Sequence, residues 1–221
     1  WQSRRTALYE QALAQLNRDG LVFACTCSRK LLAQTAVEQS GIYPGSCRSQ
    51  ALPFLHEHAV RVRVPDRSVS FDDVIIGEYQ QSLASECGDF VIRRRDGLFA
   101  YQLAVVVDDA QQGVTEVVRG ADLLESTPRQ IFLQQCLDYT QPGYFHVPLV
   151  LGPAGHKLSK SEGAAELNPD RPVKNIHAAL SHLGQHPPAD LAQAGSVDVW
   201  QWALENWNIG KIPKSPGVIQ I

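Results

Sequence analysis

No methionine occurs anywhere in the 221 residues, and the chain opens on Trp1-Gln2-Ser3-Arg4-Arg5, so it reads as a sequence that begins inside a longer protein. It also lacks any apolar run near the roughly 18 residues that a membrane-spanning helix requires. No apolar stretch follows Arg4 and Arg5, so the opening lacks the form of a secretory signal. Neither charge sign is in excess: 20 Lys+Arg against 23 Asp+Glu leaves −3, which does not advertise a nucleic-acid binder, although Arg61, Arg63 and Arg93-Arg94-Arg95 can still form a local basic face. Cysteine is scarce and odd in number, five in a chain too large to need disulfides, and Cys25, Cys27 and Cys47 crowd together as metal ligands do. What remains, 44% hydrophobic and 19% charged residues, describes a globular chain long enough for one large domain or two small ones. A cytoplasmic location without a membrane partner is the expectation.

Apolar spacing predicts an amphipathic helix over Ser3–Arg18, capped by Ser3 and stopped by Gly20. A short strand, Leu21–Ala24, then leads into Cys25-Thr26-Cys27, and a helix is expected over Ser28–Gln39. Val60, Val62 and Val64 alternate with Arg61 and Arg63 as in a half-exposed strand. Phe90–Ile92 is expected to turn at Asp96-Gly97 and return as a strand through Leu98–Tyr101. Gln102–Gln112 fits either a strand, from Val105-Val106-Val107, or a helix ending at Gly113. Next come a strand over Val114–Val118, a helix capped by Ser126 with Pro128 in its first turn, and an apolar strand over Val147–Leu151. Two modest helices, near Val173–Leu183 and Val197–Trp207, close the chain. Alternating strands and helices argue for an α/β layered fold.

Three constellations carry chemistry. Directly after the last apolar strand and Gly152-Pro153-Ala154-Gly155 stands Lys157-Leu158-Ser159-Lys160-Ser161. Two lysines framing small hydroxyl residues can surround a polyphosphate and offset charge that grows on it during a transfer; most such loops are merely solvated. Arg119, in Val117-Val118-Arg119-Gly120-Ala121-Asp122, lies at a strand end, where a guanidinium suits two-point capture of a carboxylate; the ordinary role is an ion pair with Asp122 or Asp109. Finally, Cys25-x-Cys27 with Cys47 offers three corners of a tetrahedral metal shell of the structural kind. The fourth corner is Tyr43, whose hydroxyl must lose a proton with an ordinary pKa near ~10, or else His56 or His58; three buried free cysteines are the bland alternative.

In order and context these motifs resemble the class I aminoacyl-tRNA synthetases of the glutamyl type, with Lys157–Ser161 in the place of their KMSKS loop and Leu158 in the place of its methionine. The stretch from Arg93 through Arg119 to Thr127-Pro128-Arg129-Gln130 is similar to the second half of their catalytic domain. The pattern Cys25-x-Cys27…Tyr43-x3-Cys47 resembles the zinc insertion of the shortened glutamyl-Q branch. That resemblance implies a Rossmann-like catalytic domain: residues 1–24 ending its first half, 25–89 a zinc-binding insertion, 90–165 the second half with the loop, and 166–221 a short α-helical C-terminal region. It implies glutamate bound by Tyr101 and Arg119, ATP contacted by Lys160, catalysis assisted by Lys157 and Lys160, and a structural Zn²⁺ on Cys25, Cys27, Cys47 and Tyr43. ATP would arrive with Mg²⁺.

Two absences refine the expectation. No HIGH-type motif or leading glycine-rich strand is present, and only 60 residues follow Ser161, too few for a large anticodon-binding domain. The expected protein is therefore a monomeric ligase that activates glutamate and transfers it to queuosine in the anticodon arm of tRNA(Asp). A truncated glutamyl-tRNA synthetase and a non-catalytic, zinc-stabilised RNA-binding module are the alternatives.

Overall fold

A computed structural model of the chain describes residues 1–28, 31–32, 42–152, 155–158 and 166–219. Two compact units interleave along the sequence: Trp1–Phe71, Tyr79–Thr115 and Glu125–Pro142 form one, and Asp72–Glu78, Glu116–Leu124 and Gly143–Ile221 the other.

The first unit begins with a short 3₁₀ turn, Gln2–Arg4, and helix α1, Thr6–Arg18. Ser3 lies inside that turn and the helix is preceded by Arg5 with no side-chain cap, so the predicted serine cap is not made. Tyr9, Ala12, Leu13 and Leu16 form its buried stripe. Strands β1, Val22–Cys25, β2, Ala59–Val62, and β5, Val91–Arg93, make an antiparallel sheet in the order β1-β2-β5. Between them, β3, Ser68–Asp73, and β4, Gly77–Ser82, carry a segment that the sequence did not signal. The predicted helix over Ser28–Gln39 falls almost wholly outside the described residues.

The ambiguous stretch is helix α2, Tyr101–Gln112. Its buried residues Leu103, Ala104, Val106, Val107 and Asp108 follow helical spacing, and Gly113 at φ 67° closes it while Val114 N–H donates back to Asp109 O at 2.9 Å. Burial on one face overrides the strand propensity of three valines. The expected return strand through Leu98–Tyr101 shrinks to one bridge, Arg93 to Phe99, because Tyr101 already belongs to α2. Helix α3, Thr127–Cys136, has Pro128 in its first turn as predicted, but Ser126 does not cap it. Its hydroxyl accepts from Gln102 Nε2 at 3.1 Å instead.

In the second unit β6, Glu116–Gly120, and β7, Gly143–Val147, pair in parallel, with Arg119 opposite His146, and Asp73 at the end of β3 pairs with Tyr144. The predicted strand Val147–Leu151 is divided. Pro148 has no N–H for a ladder, so β7 ends at Val147 and β8, Leu149–Leu151, pairs instead with a late strand, β9, Gly217–Ile219. Helices α4, Pro172–His182, and α5, Ser196–Asn206, pack through Leu180, Val199 and Ala203. Gly184, at φ 70°, is obligatory beside them because a Cβ there would meet Lys211 O at 2.3 Å. No helix among the described residues is long and apolar enough to cross a membrane.

Candidate functional site

The cysteine centre lies in the first unit. Cys25 ends β1, Cys27 follows two residues later, and a turn at Gly45, φ 79°, folds Cys47 back toward them, with Arg48 N–H donating to Gly45 O at 2.8 Å. The three sulfurs lie within 4.8 Å of one another, and Cys27 Sγ is 3.6 Å from Cys47 Sγ. Tyr43 Oη stands 3.5 Å from Cys25 Sγ and 3.7 Å from Cys27 Sγ, and accepts from Cys47 N–H at 2.8 Å. Zinc–sulfur and zinc–oxygen bond lengths make the edges of a mixed tetrahedron ~3.8 Å (S to S) and ~3.5 Å (S to O), so this donor set has the spacing of a metal shell. Cys25 and Cys47 are buried and Cys27 is partly exposed. His58 Nδ1 is instead within 2.9 Å of Pro53 O.

The surroundings act differently on Cys27, Tyr43 and Cys47. Burial pushes the Cys27 thiol up to about 11 and the Tyr43 hydroxyl well above its ordinary value. For Cys47 burial acts in the same sense, but hydrogen bonds from Tyr43, Thr26 and Cys27 outweigh it and bring the thiol down to about 6. Arg61, which the sequence offered only as part of a local basic face, supplies a neighbouring cation. Its Nε donates to Cys25 Sγ at 3.4 Å, its guanidinium lies 3.9 Å over the Tyr43 ring, and Nη1 donates to Asp89 O at 2.7 Å. The buried Asp89 also accepts from Arg48 Nη1 at 2.6 Å, which fixes the residue next to Cys47.

The second constellation lies in the second unit. Arg119 leaves β6 near its carboxyl end, and its guanidinium is 5.5 Å from the centre of the Tyr144 ring on β7. Arg119 Nε donates to His146 Nε2 at 3.0 Å, and His146 Nδ1 is 2.6 Å from Asp73 Oδ2. Asp73 also accepts from the backbone N–H groups of Ile75, Ile76 and His146. Gly120 clears the way: a Cβ there would come 2.6 Å from Asp122 Oδ1. Asp122 in turn accepts from Lys157 Nζ at 2.6 Å, and that bond chiefly holds its carboxyl below the usual range. Lys157 stands on a tight return beside β8, with Leu158 N–H donating to Val150 O at 3.0 Å.

The structure therefore gathers Cys25, Cys27, Tyr43 and Cys47 at one place, and links Lys157 to the strand end of Arg119 through Asp122. Tyr101 begins α2 in the first unit, 46% exposed. Lys160, expected to contact ATP, lies outside the described residues. Sequence reasoning missed Arg61, Asp73 and His146. A histidine alternating with apolar residues in Tyr144–Val147 was the available signal for the last; nothing local marked Asp73.

Residues 1–174 match the model for the tRNA synthetases class I (E and Q), catalytic domain. A glutamyl-Q tRNA(Asp) synthetase of Ectopseudomonas mendocina (strain ymp) is 52% identical over 97% of this chain, which covers 71% of that protein. The protein of that name from Pseudomonas aeruginosa strain PAO1 is 50% identical over 96% of the chain and 71% of its own length. The solved glutamate-tRNA synthetase from Elizabethkingia anophelis shares the fold, with a TM-score of 0.76 at 22% identity over 100% of this chain and 52% of its own, about half its length. The chain belongs to the glutamyl-Q tRNA(Asp) synthetase family of class I tRNA synthetases.

Proposed function

We propose that the protein activates glutamate with ATP, as its magnesium complex, and transfers the glutamyl group to queuosine at the wobble position of tRNA(Asp). The observation that carries this reading is kinship of about half the residues over nearly the whole chain with glutamyl-Q synthetases. Arg119 and Tyr101 bind the glutamate, a guanidinium meeting a carboxylate in the two-point geometry that suits it. Lys157 and Lys160 offset charge growing on the triphosphate as pyrophosphate leaves. No general base is required, because positioning and charge stabilisation supply the rate. The acceptor is the anticodon arm, whose splayed bases and phosphates a compact catalytic domain can hold. The enzyme works in the cytoplasm as a monomer.

Cys25, Cys27, Cys47 and Tyr43 hold one structural Zn²⁺, which when bound closes the loop between residues 25 and 47 and leaves no position open for substrate. Their sulfur and oxygen spacing supports this assignment.

Labelled glutamate offered to full-length enzyme is expected to enter tRNA(Asp) that carries queuosine and not the same tRNA with guanosine. The label should survive removal of the 3′ terminal adenosine. Charging of a tRNA(Glu) 3′ end, without transfer to queuosine, overturns the reading.

A further inference from the structure

His146 is fully buried between two partners whose chemistry dictates its state. An arginine Nε always carries a hydrogen, so Arg119 donates and His146 Nε2, 3.0 Å away, must be the bare nitrogen. The ring proton then sits on Nδ1 and is given to Asp73 Oδ2 at 2.6 Å. Both side chains of that pair have 0% exposure. Asp73 is itself anchored by three backbone N–H groups, those of Ile75, Ile76 and His146. The chain of contacts thus runs from rigid backbone through a carboxylate and a neutral imidazole to one edge of a guanidinium. The register of β6 and β7, which sets Arg119 opposite His146, makes it possible.

We infer that Asp73 and His146 are positioning residues for glutamate recognition: they fix the plane in which Arg119 presents its guanidinium to the substrate carboxylate. This rests on the reading of Arg119 as a glutamate-binding residue. A neutral imidazole is suited to the task because it orients the guanidinium without offsetting its charge. A carboxylate in contact with Arg119 Nε would orient it equally well but would compete with the anionic substrate for the same cation. Asp73, one residue further from Arg119, selects the tautomer and leaves Nε2 as an acceptor. The ring plane is also set by near-parallel stacking on Tyr144, 17° between planes at 6.2 Å. Loss of this support leaves a mobile arginine whose misplacement by about 1 Å costs substantial affinity for the bound geometry.

The test is glutamate-dependent pyrophosphate exchange in the full-length protein, with KM measured separately for glutamate and ATP. His146→Gln keeps an acceptor for Arg119 Nε and a donor for Asp73, and is expected to stay within about twofold of wild type in both constants. His146→Leu removes the acceptor, and should raise the glutamate KM about tenfold or more while ATP KM moves less than about twofold. Arg119→Ala is the reference, and thermal unfolding establishes that each variant is folded. If Arg119→Ala raises the glutamate KM and a folded His146→Leu does not, the positioning role is wrong and the glutamate site stands. If Arg119→Ala leaves it unmoved, the site itself is misassigned and the inference falls with it. Should His146→Leu not fold, the ¹⁵N spectrum of histidine-labelled wild type, with His146→Gln to identify the signal, decides the matter. A ring protonated on Nδ1 alone is the expected result; one protonated on Nε2 overturns the proposal.

Discussion

The cysteine centre and the Arg119 centre are built by opposite means. The first draws all four of its donors from Cys25 to Cys47, where a strand end and one glycine turn suffice to converge them. The second joins Arg119 to His146 across 27 residues, and His146 to Asp73 across 73, through the register of parallel strands. A site encoded by local spacing tolerates change elsewhere in the chain and fails when one donor is lost. A site encoded by register keeps its individual residues through a slip and loses their geometry.

The largest expected effect follows from that contrast. Cys47→Ser should reduce bound zinc from one ion per chain to none, measured by elemental analysis of freshly purified, unchelated protein. Apo protein should be cut first by protease between residues 25 and 47, with the α/β core surviving longer, since the proposed metal would couple its binding to the folding of that segment. Zinc-free wild-type protein would remove the basis of the comparison. Full zinc affinity in Tyr43→Phe would remove the tyrosine from the shell.

Next in size is Arg119, the residue proposed to bind glutamate. Arg119→Ala in the full-length protein should weaken glutamate by ~2–4 kcal/mol, because the substrate carboxylate is left without its partner in the site. Unchanged pyrophosphate exchange in both Arg119→Ala and Lys160→Ala would mean that the chemistry lies on other residues.

What could be read in the sequence divides along the same line. The cysteine spacing showed directly, as did α1, β1, α3 and the two late helices, whose apolar spacing and stops are local. Arg119 was singled out only through its motif, since a lone strand-end arginine has no distinctive local pattern. Asp73 lies on a β-hairpin over Ser68–Ser82 that was not among the expected strands, and its partner sits in a strand far along the chain. Pairing register is a tertiary quantity. The contacts of Arg61 with Cys25 and Tyr43 were not legible for a related reason: alternation shows which residues share a face, not what covers that face.

Arg61 supplies a smaller test of the local site. Arg61→Ala should lower zinc affinity on the order of 10- to 100-fold while leaving one ion bound at saturation, because it removes a cation that supports the Cys25 thiolate without touching the metal shell. Competition with a chelator of known affinity measures it, and an unchanged constant makes Arg61 a packing residue only. For the register-built site the corresponding probe is acid. Burial, the largest cause, and Arg119 hold His146 below its ordinary pKa, against the pull of Asp73 and Asp122. The unfolded chain takes up a proton near ~6.5 that the folded chain refuses. This contribution to stability is therefore present above that value and declines as pH falls through it toward the lower folded value. Urea unfolding at neutral and mildly acid pH should show a larger loss for wild type than for His146→Gln; equal losses would place the titration elsewhere.

The smallest effect is expected where the second centre reaches its most exposed contact. Lys157 Nζ and Asp122 Oδ2 lie 2.6 Å apart, yet their side chains remain 52% and 38% exposed. Water and salt screen such a pair, so Asp122→Asn should change global stability by no more than ~1 kcal/mol, and by less at high ionic strength. The carboxyl is held below its usual range, so the pair contributes above the ordinary carboxylate pKa and loses its contribution as pH falls through the lowered folded value. Its proposed importance is placement of Lys157, a catalytic rather than a stability term. Asp122→Asn should therefore slow pyrophosphate exchange several-fold while thermal unfolding barely moves. The rate loss should exceed the roughly fivefold equivalent of 1 kcal/mol only if Lys157 acts directly on the triphosphate. A variant with wild-type exchange at low salt would leave the pair as a surface contact and take Lys157 out of the reaction.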